Sequence, residues 1–278
     1  MSQALPVTVI EPSRGWLRLQ ASDLWTYREL LGFLVWRDLK VRYKQTLIGA
    51  AWAILQPLAL MIIFTVFFGR LAHMPSEGIP YPLFAYAGLL PWQTFSRSIT
   101  DSTNSLVADQ RLITRVYFPR VLVPLSTIVA ALVDFLVAGV LLGGLMAWYR
   151  VMPTSHIIWL PVFTVLMVLT ALGVGLWFSA LNLEFRDVQY TLPFLNQFWL
   201  FLTPVVYPSS LVPERWQWVY ALNPMVGVVD GFRWALFGVG HAPSAWSLAV
   251  ALAVCFSGWM FFRKRERTFV DVLGSGGR

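Results

Sequence analysis

Apolar residues in this chain come in long runs separated by short charged knots, a pattern that fits neither alternating strands nor isolated amphipathic helices. The run from Ile157 to Leu181 holds no ionisable residue at all. A transmembrane helix needs about 20 apolar residues. By that measure the pattern predicts six spans: Ala50 to Phe68, Tyr81 to Thr100, Val121 to Trp148, Ile157 to Leu181, Thr191 to Tyr207, and Ser244 to Phe262. The second is interrupted by Pro82, Pro91 and Arg97; prolines are tolerated in spans where neighbouring groups satisfy the freed backbone. The expected fold is an all-α integral membrane protein.

Three further segments break the pattern. Residues 203–240, between the fifth and sixth spans, are too interrupted by Pro204, Pro208, Pro213 and Pro224 to cross and too apolar to be a solvated loop. They are expected to form a re-entrant helical hairpin on the outer side, turning near Leu222–Pro224, because irregular backbone survives at membrane depth only inside protein or along a cavity. The alternative is an interfacial loop anchored by Trp216, Trp218 and Trp234. Residues 24–45 place Leu24, Tyr27, Leu31, Leu34 and Val35 on one helical face, with Glu29, Arg37, Lys40 and Lys44 largely opposite. Such a helix lies on the inner membrane surface or docks on protein; Trp25 and Phe33 fall on its polar side and Asp38 on its apolar one. Residues 101–120 carry a short Leu106, Ile113, Tyr117 apolar line stopped by Pro119, which reads as a helix with a partner or, equally, one packed on the protein's own spans.

Composition agrees with the pattern: 57% of residues are hydrophobic and 13% charged, against roughly 25% charged in soluble domains. The net charge of +7 is explained by topology, because loops rich in Lys and Arg stay in the cytoplasm. With both termini inside, only Arg70, Arg150, Arg215 and Arg233 of the 21 basic residues fall on the outer side, as do His73, His156 and His241. Nothing then points to nucleic acid. The expected organisation is a cytoplasmic segment with its interface helix over residues 1–49, a six-span domain over 50–262 and a basic cytoplasmic tail over 263–278. The first long apolar run starts behind a charged stretch, so no cleavable signal peptide is expected. The single cysteine, Cys255, allows no disulfide or cysteine metal site within the chain.

Chemistry-bearing motifs are sparse. There is no phosphate-binding loop, and Lys40, Lys44 and Lys264 follow no glycine-rich turn, so ATP binding by that route is excluded. Asp134 sits near the middle of the third span, where a charge costs several kcal/mol unless it faces a partner or water; it is a channel-lining candidate or an interhelical contact. Tyr190, Phe194, Phe198 and Phe201 recur at helical spacing with Gln197 on the same face. Aromatic faces stack on sugars and on lipid tails, so these five are channel-lining candidates, with helix packing as the alternative. Gly139, Gly143 and Ala147, and likewise Ala171, Gly175 and Ser179, form small-residue lines suited to close helix approach.

Several strings occur together in order: LVWRDLKVRYKQTLIGAAWAILQPL, LPWQTFSRSI, RLITRVYFPR, LNLEFRDVQY, FLTPVVYP, ALNPM with GFRWALFG, and RKRERTFVDVL. Over about Leu24 to Leu273 the chain resembles the ABC type-two permeases that export polysaccharides, most closely those for O-antigen and teichoic acid, with the capsule exporters as neighbours. The resemblance implies a homodimer in the bacterial inner membrane, two copies of a separate ATP-binding subunit carrying ATP and Mg, and a lipid-linked polysaccharide moved outward among membrane lipids. No cofactor is then bound by this chain, which is a transport subunit and not an enzyme. It also implies that residues 24–45, 101–120 and 182–190 face the ATPase, which makes Arg37, Arg111, Arg115, Glu184, Arg186 and Asp187 coupling candidates. Two rivals stand beside it: a membrane-embedded transferase acting on lipid-linked sugars, drawing on His156, His241, Glu214 or Asp230, and an exporter of a drug or small lipid with the same architecture.

Overall fold

The computed structural model describes residues 25–44, 51–240, 245–266 and 269. The expectations for Arg14, Arg18, Leu24, Ala50, His241, Ser244 and the tail beyond residue 269 lie outside them.

Among the described residues the fold is helical throughout. Helix α1 (Arg28–Lys44) precedes α2 (Trp52–Phe64), which runs on as a π-helical stretch over Thr65–Leu71. There follow α3 (Tyr81–Ala108), α4 (Gln110–Arg115), α5 (Leu122–Trp148), α6 (Leu160–Glu184) behind a 3₁₀ turn at Ser155–Trp159, α7 (Val188–Phe201), α8 (Glu214–Tyr220), α9 (Pro224–Phe237) and α10 (Ala245–Glu266). Four stretches are long and apolar enough to cross a membrane: Trp52–Leu71, Leu122–Trp148, Ser155–Glu184 and Ala245–Glu266.

The other two expected spans depart from the pattern for physical reasons. Helix α3 is the core of the molecule, packed by α2, α5, α6, α7 and α9, with Leu83, Phe84, Ala85, Tyr86 and Ala87 fully buried. It continues past Thr100 to Ala108 because Ser102, Thr103 and Leu106 are buried against neighbouring helices, while Thr100, Thr103, Asn104 and Ser105 turn their side chains back onto carbonyls three or four residues earlier. Only the six-residue α4 remains of a separate helix over residues 101–120. The run Thr191 to Tyr207 does not make one helix either. Helix α7 ends at Phe201, close before Pro204, and its 14 residues reach about 21 Å, short of a bilayer.

Helix α1 also turns out differently from a helix laid apolar-side down on lipid. Leu34 is fully buried, and Tyr27, Leu30 and Leu31 pack with it on a cluster that includes Leu106, Phe118, Leu122, Leu176 and Phe262. The face read as apolar is therefore docked on the protein's own helices. Trp25, Phe33 and Trp36 are left exposed, with Arg28 over the Trp25 ring and Lys40 over the Trp36 ring.

The small-residue lines divide. Gly175 packs directly on Ser102, and Ala171 and Ser179 are buried beside it. A Cβ at Gly139 or Gly143 would meet nothing within 4 Å, so among the described residues those two glycines face no close neighbour. The closest helix crossing was not among the expectations: Gly173 of α6 and Gly258 of α10 meet backbone to backbone, and a Cβ on Gly258 would lie 2.0 Å from the Gly173 carbonyl oxygen.

Candidate functional site

Four aspartates and three arginines converge where α1 crosses α3 and α5. Arg37 grips Asp109, just beyond α3, through both guanidinium ends at 2.8 and 2.6 Å, and also reaches Asp38 at 2.8 Å. Asp38 in turn accepts a hydrogen bond from Ser126 of α5 at 2.9 Å. One turn on, Arg42 is divided between Asp101 of α3 and Asp134 of α5, at 2.6 Å to each. Arg97 approaches the same two carboxylates, at 3.7 Å and 3.2 Å. Burial works against the Arg37 charge, but its bonds to Asp109 and Asp38 outweigh that and raise its pKa above the ordinary arginine value. Arg37, a coupling candidate, thus spends its charge within the chain. Asp134, a channel-lining candidate, is ion-paired to an arginine 92 residues earlier in the sequence.

Asp134 also faces a cavity of about 360 Å³ between α2, α3 and α5. Asp101, Arg97 and Asp134 line it toward α1, and Leu60, Leu89 and Ala138 toward the opposite end, with Trp52, Gln56 and Gln93 between. A second cavity of about 330 Å³ is almost wholly apolar and lies where α7 meets α3 and α6, against Ile99, Phe178, Leu192 and Trp199. Helix α7 is held there by the same face, where Asn196 donates to Thr100 at 3.0 Å and Trp199 packs edge-on to Phe95. Tyr190, Phe194, Gln197, Phe198 and Phe201 all stand on the exposed side of α7, and Phe194 and Phe198 have ring centroids 5.8 Å apart. The structure therefore brings the five aromatic-face candidates together and sets Asp134 apart from them, on the cavity wall.

The charged turn between α6 and α7 is split. Glu184 is drawn onto Arg265 near the end of α10, while Arg186 and Asp187 are exposed. The Asp187 carbonyl accepts the Tyr190 and Thr191 amides, which starts α7. Arg111 and Arg115 are likewise exposed, on or beside α4. Four coupling candidates are therefore exposed with no ion pair among the described residues, and two, Arg37 and Glu184, are engaged with other helices.

Sequence reasoning missed the most buried charge among the described residues. Arg233 of α9 is 1% exposed and donates to the carbonyls of Pro204 at 2.5 Å, Val205 at 2.7 Å and Phe84 at 3.3 Å. Its guanidinium lies 3.5 Å over the Phe84 ring, and Asp230 is 4.0 Å away. The Tyr81 hydroxyl donates to the Val206 carbonyl at 2.7 Å. Asn223 joins the break to the next turn: it donates to the Leu202 carbonyl and the Thr203 hydroxyl, accepts from the Trp199 indole, and caps α9 through the Met225 amide. Every carbonyl from Pro204 to Val206 thus has a protein donor. The available signal was a lone arginine inside an apolar helix, which in lipid demands a partner.

Comparison with known proteins agrees with this architecture. Residues 29–237 match the family described as ABC-2 type transporter. The chain is similar to the O-antigen export system permease protein RfbA of Myxococcus xanthus, at 31% identity over 90% of this chain and 98% of that protein. It resembles the RfbA permease of Klebsiella pneumoniae at 31% identity over 74% and 79% of the two chains. It also resembles the polysialic acid transport protein KpsM of Escherichia coli, at 29% over 84% and 92%. A family match covering most of the chain, together with helices long enough to cross a membrane, places this protein in the ABC-2 type transporter family.

Proposed function

We propose that this chain is the membrane subunit of an ATP-driven exporter that moves a lipid-linked polysaccharide, of the O-antigen kind, outward across the bacterial inner membrane. The observation that carries the reading is the near end-to-end match to an O-antigen export permease, which spans 98% of that relative. In this reading α2, α3, α5, α6, α7 continued by the unwound stretch to Tyr207, and α10 form six spans with both termini inside. Helices α8 and α9 form the outer re-entrant hairpin, turning at residues 221–223. The exposed aromatic face of α7 fits a glycan path between two copies, since ring faces stack on the apolar faces of sugars. Arg111, Arg115, Arg186 and Asp187 face a separate ATP-binding subunit, which supplies ATP and Mg. A transferase reading is less well supported: Asp230 is buried 4.0 Å from Arg233, and His156 is stacked on Trp234 with ring centroids 4.2 Å apart.

The test is reconstitution. Vesicles holding the chain together with its ATP-binding subunit should move a lipid-linked glycan across the bilayer only when ATP is supplied. Glycan movement by the chain alone, or turnover of a lipid-linked sugar donor by the chain alone, would overturn the proposal.

A further inference from the structure

The arrangement of charges beneath α1 is unusual in one respect. Two arginines on different elements share the same two carboxylates. Arg42 of α1 takes the short contacts to Asp101 and Asp134, at 2.6 Å each, and Arg97 of α3 stands at 3.7 and 3.2 Å from the same pair. If Arg42 withdrew with no other cation near, the buried Asp134 carboxylate would be left uncompensated, which costs several kcal/mol, and the part-exposed Asp101 carboxylate would lose its partner at a smaller cost. With Arg97 already within reach, the loss is offset by a small movement of a side chain that is 39% exposed. A second cation within reach makes an arrangement with α1 released less costly than it would otherwise be.

The position of the cluster gives that exchange a consequence. Asp101, Arg97 and Asp134 line the end of the 360 Å³ cavity nearest α1, between α2, α3 and α5. While Arg42 bridges Asp101 on α3 to Asp134 on α5, it ties those two helices together across that end.

We infer that Arg42 is a releasable clasp: displacement of α1 hands Asp101 and Asp134 from Arg42 to Arg97, and this frees α3 and α5 to part at the inner end of the cavity. Arg42, Arg97, Asp101 and Asp134 are then positioning residues for transport. The inference rests on the exporter reading for what displaces α1, namely the ATP-binding subunit, but not for the exchange itself.

Hydrogen exchange on the purified full-length chain tests the exchange directly, without substrate or partner. Arg42→Gln removes the clasp, so amide exchange over Arg28–Lys44 should quicken about tenfold, the scale of a lost charged hydrogen bond. Arg42→Lys should stay close to wild type. Arg97→Gln removes the competitor and leaves Arg42 the only cation on the two carboxylates, so the same amides should exchange more slowly. A purely structural role for both arginines gives faster exchange in both variants. Changes of the same sign, or none in either variant, would overturn the clasp. In the reconstituted complex, both Gln variants should lower glycan exported per ATP hydrolysed, one by failing to clasp and the other by failing to release. An unchanged ratio in both would likewise overturn it. A wild-type complex that exports no lipid-linked glycan would sink the exporter reading alone, and the exchange measurements would still decide the clasp.

Discussion

Arg233 shows what a single residue contributes to this fold. Its three carbonyl partners belong to two separate stretches, so it joins the break after α7 to the first turns of α3. Replacing it with methionine leaves those oxygens unpaired and Asp230 buried beside an apolar chain. We expect Arg233→Met to cost about 3–5 kcal/mol, read as a lower melting midpoint in detergent. Arg233→Lys should recover only part of this, because an ammonium cannot reproduce the planar fork. Gly88→Ala should show the same effect more weakly, since a Cβ there would sit 2.6 Å from the Arg233 guanidinium. Asn223→Ala removes a helix cap as well as two bonds to the break, with an expected loss of about 1 kcal/mol or more in the same assay. Residue identity alone flagged Asp134 as costly, correctly in kind. Its partner was out of reach of sequence pattern, because Arg42 lies on a surface helix that only the tertiary fold brings over α5.

For whole elements, the long apolar runs were legible because lipid allows only one solution to a run without polar groups. Helix α3 was harder. Its second half is rich in Ser, Thr and Asn, which in a single sequence reads as a loop, and it is helical because Ile99, Thr103 and Leu106 are buried against neighbouring helices. The face of α1 was legible as a period but its environment was not; a stripe that packs on protein has the same spacing as one that packs on lipid. Small-residue lines were equally ambiguous, and the glycine geometry separates them. Gly258→Val should drive α10 off α6 and lower the melting midpoint strongly, whereas Gly139→Ala should leave the purified protomer within about 0.5 kcal/mol of wild type, where open space meets the new methyl. Comparable losses in both variants would mean that the α6–α10 crossing is not the tight joint described.

In the molecule as a whole, the exposed charges of the turn between α6 and α7 are the ones the proposed coupling turns on. Arg186 and Asp187 occupy a short turn between two helices, and such a turn has little slack to absorb movement. Arg186→Glu or Asp187→Lys should therefore cut ATP-linked export about tenfold while membrane insertion, measured by protein in the bilayer fraction, is unchanged; normal export from both variants would remove the turn from the coupling path. The break after α7 has a consequence of its own. Because guanidinium, phenol and amide groups of the chain itself occupy its carbonyls, the unwound backbone needs no solvent to be stable. Such a break can stand at membrane depth as plain buried protein, since no water-lined cavity is required to answer its carbonyls.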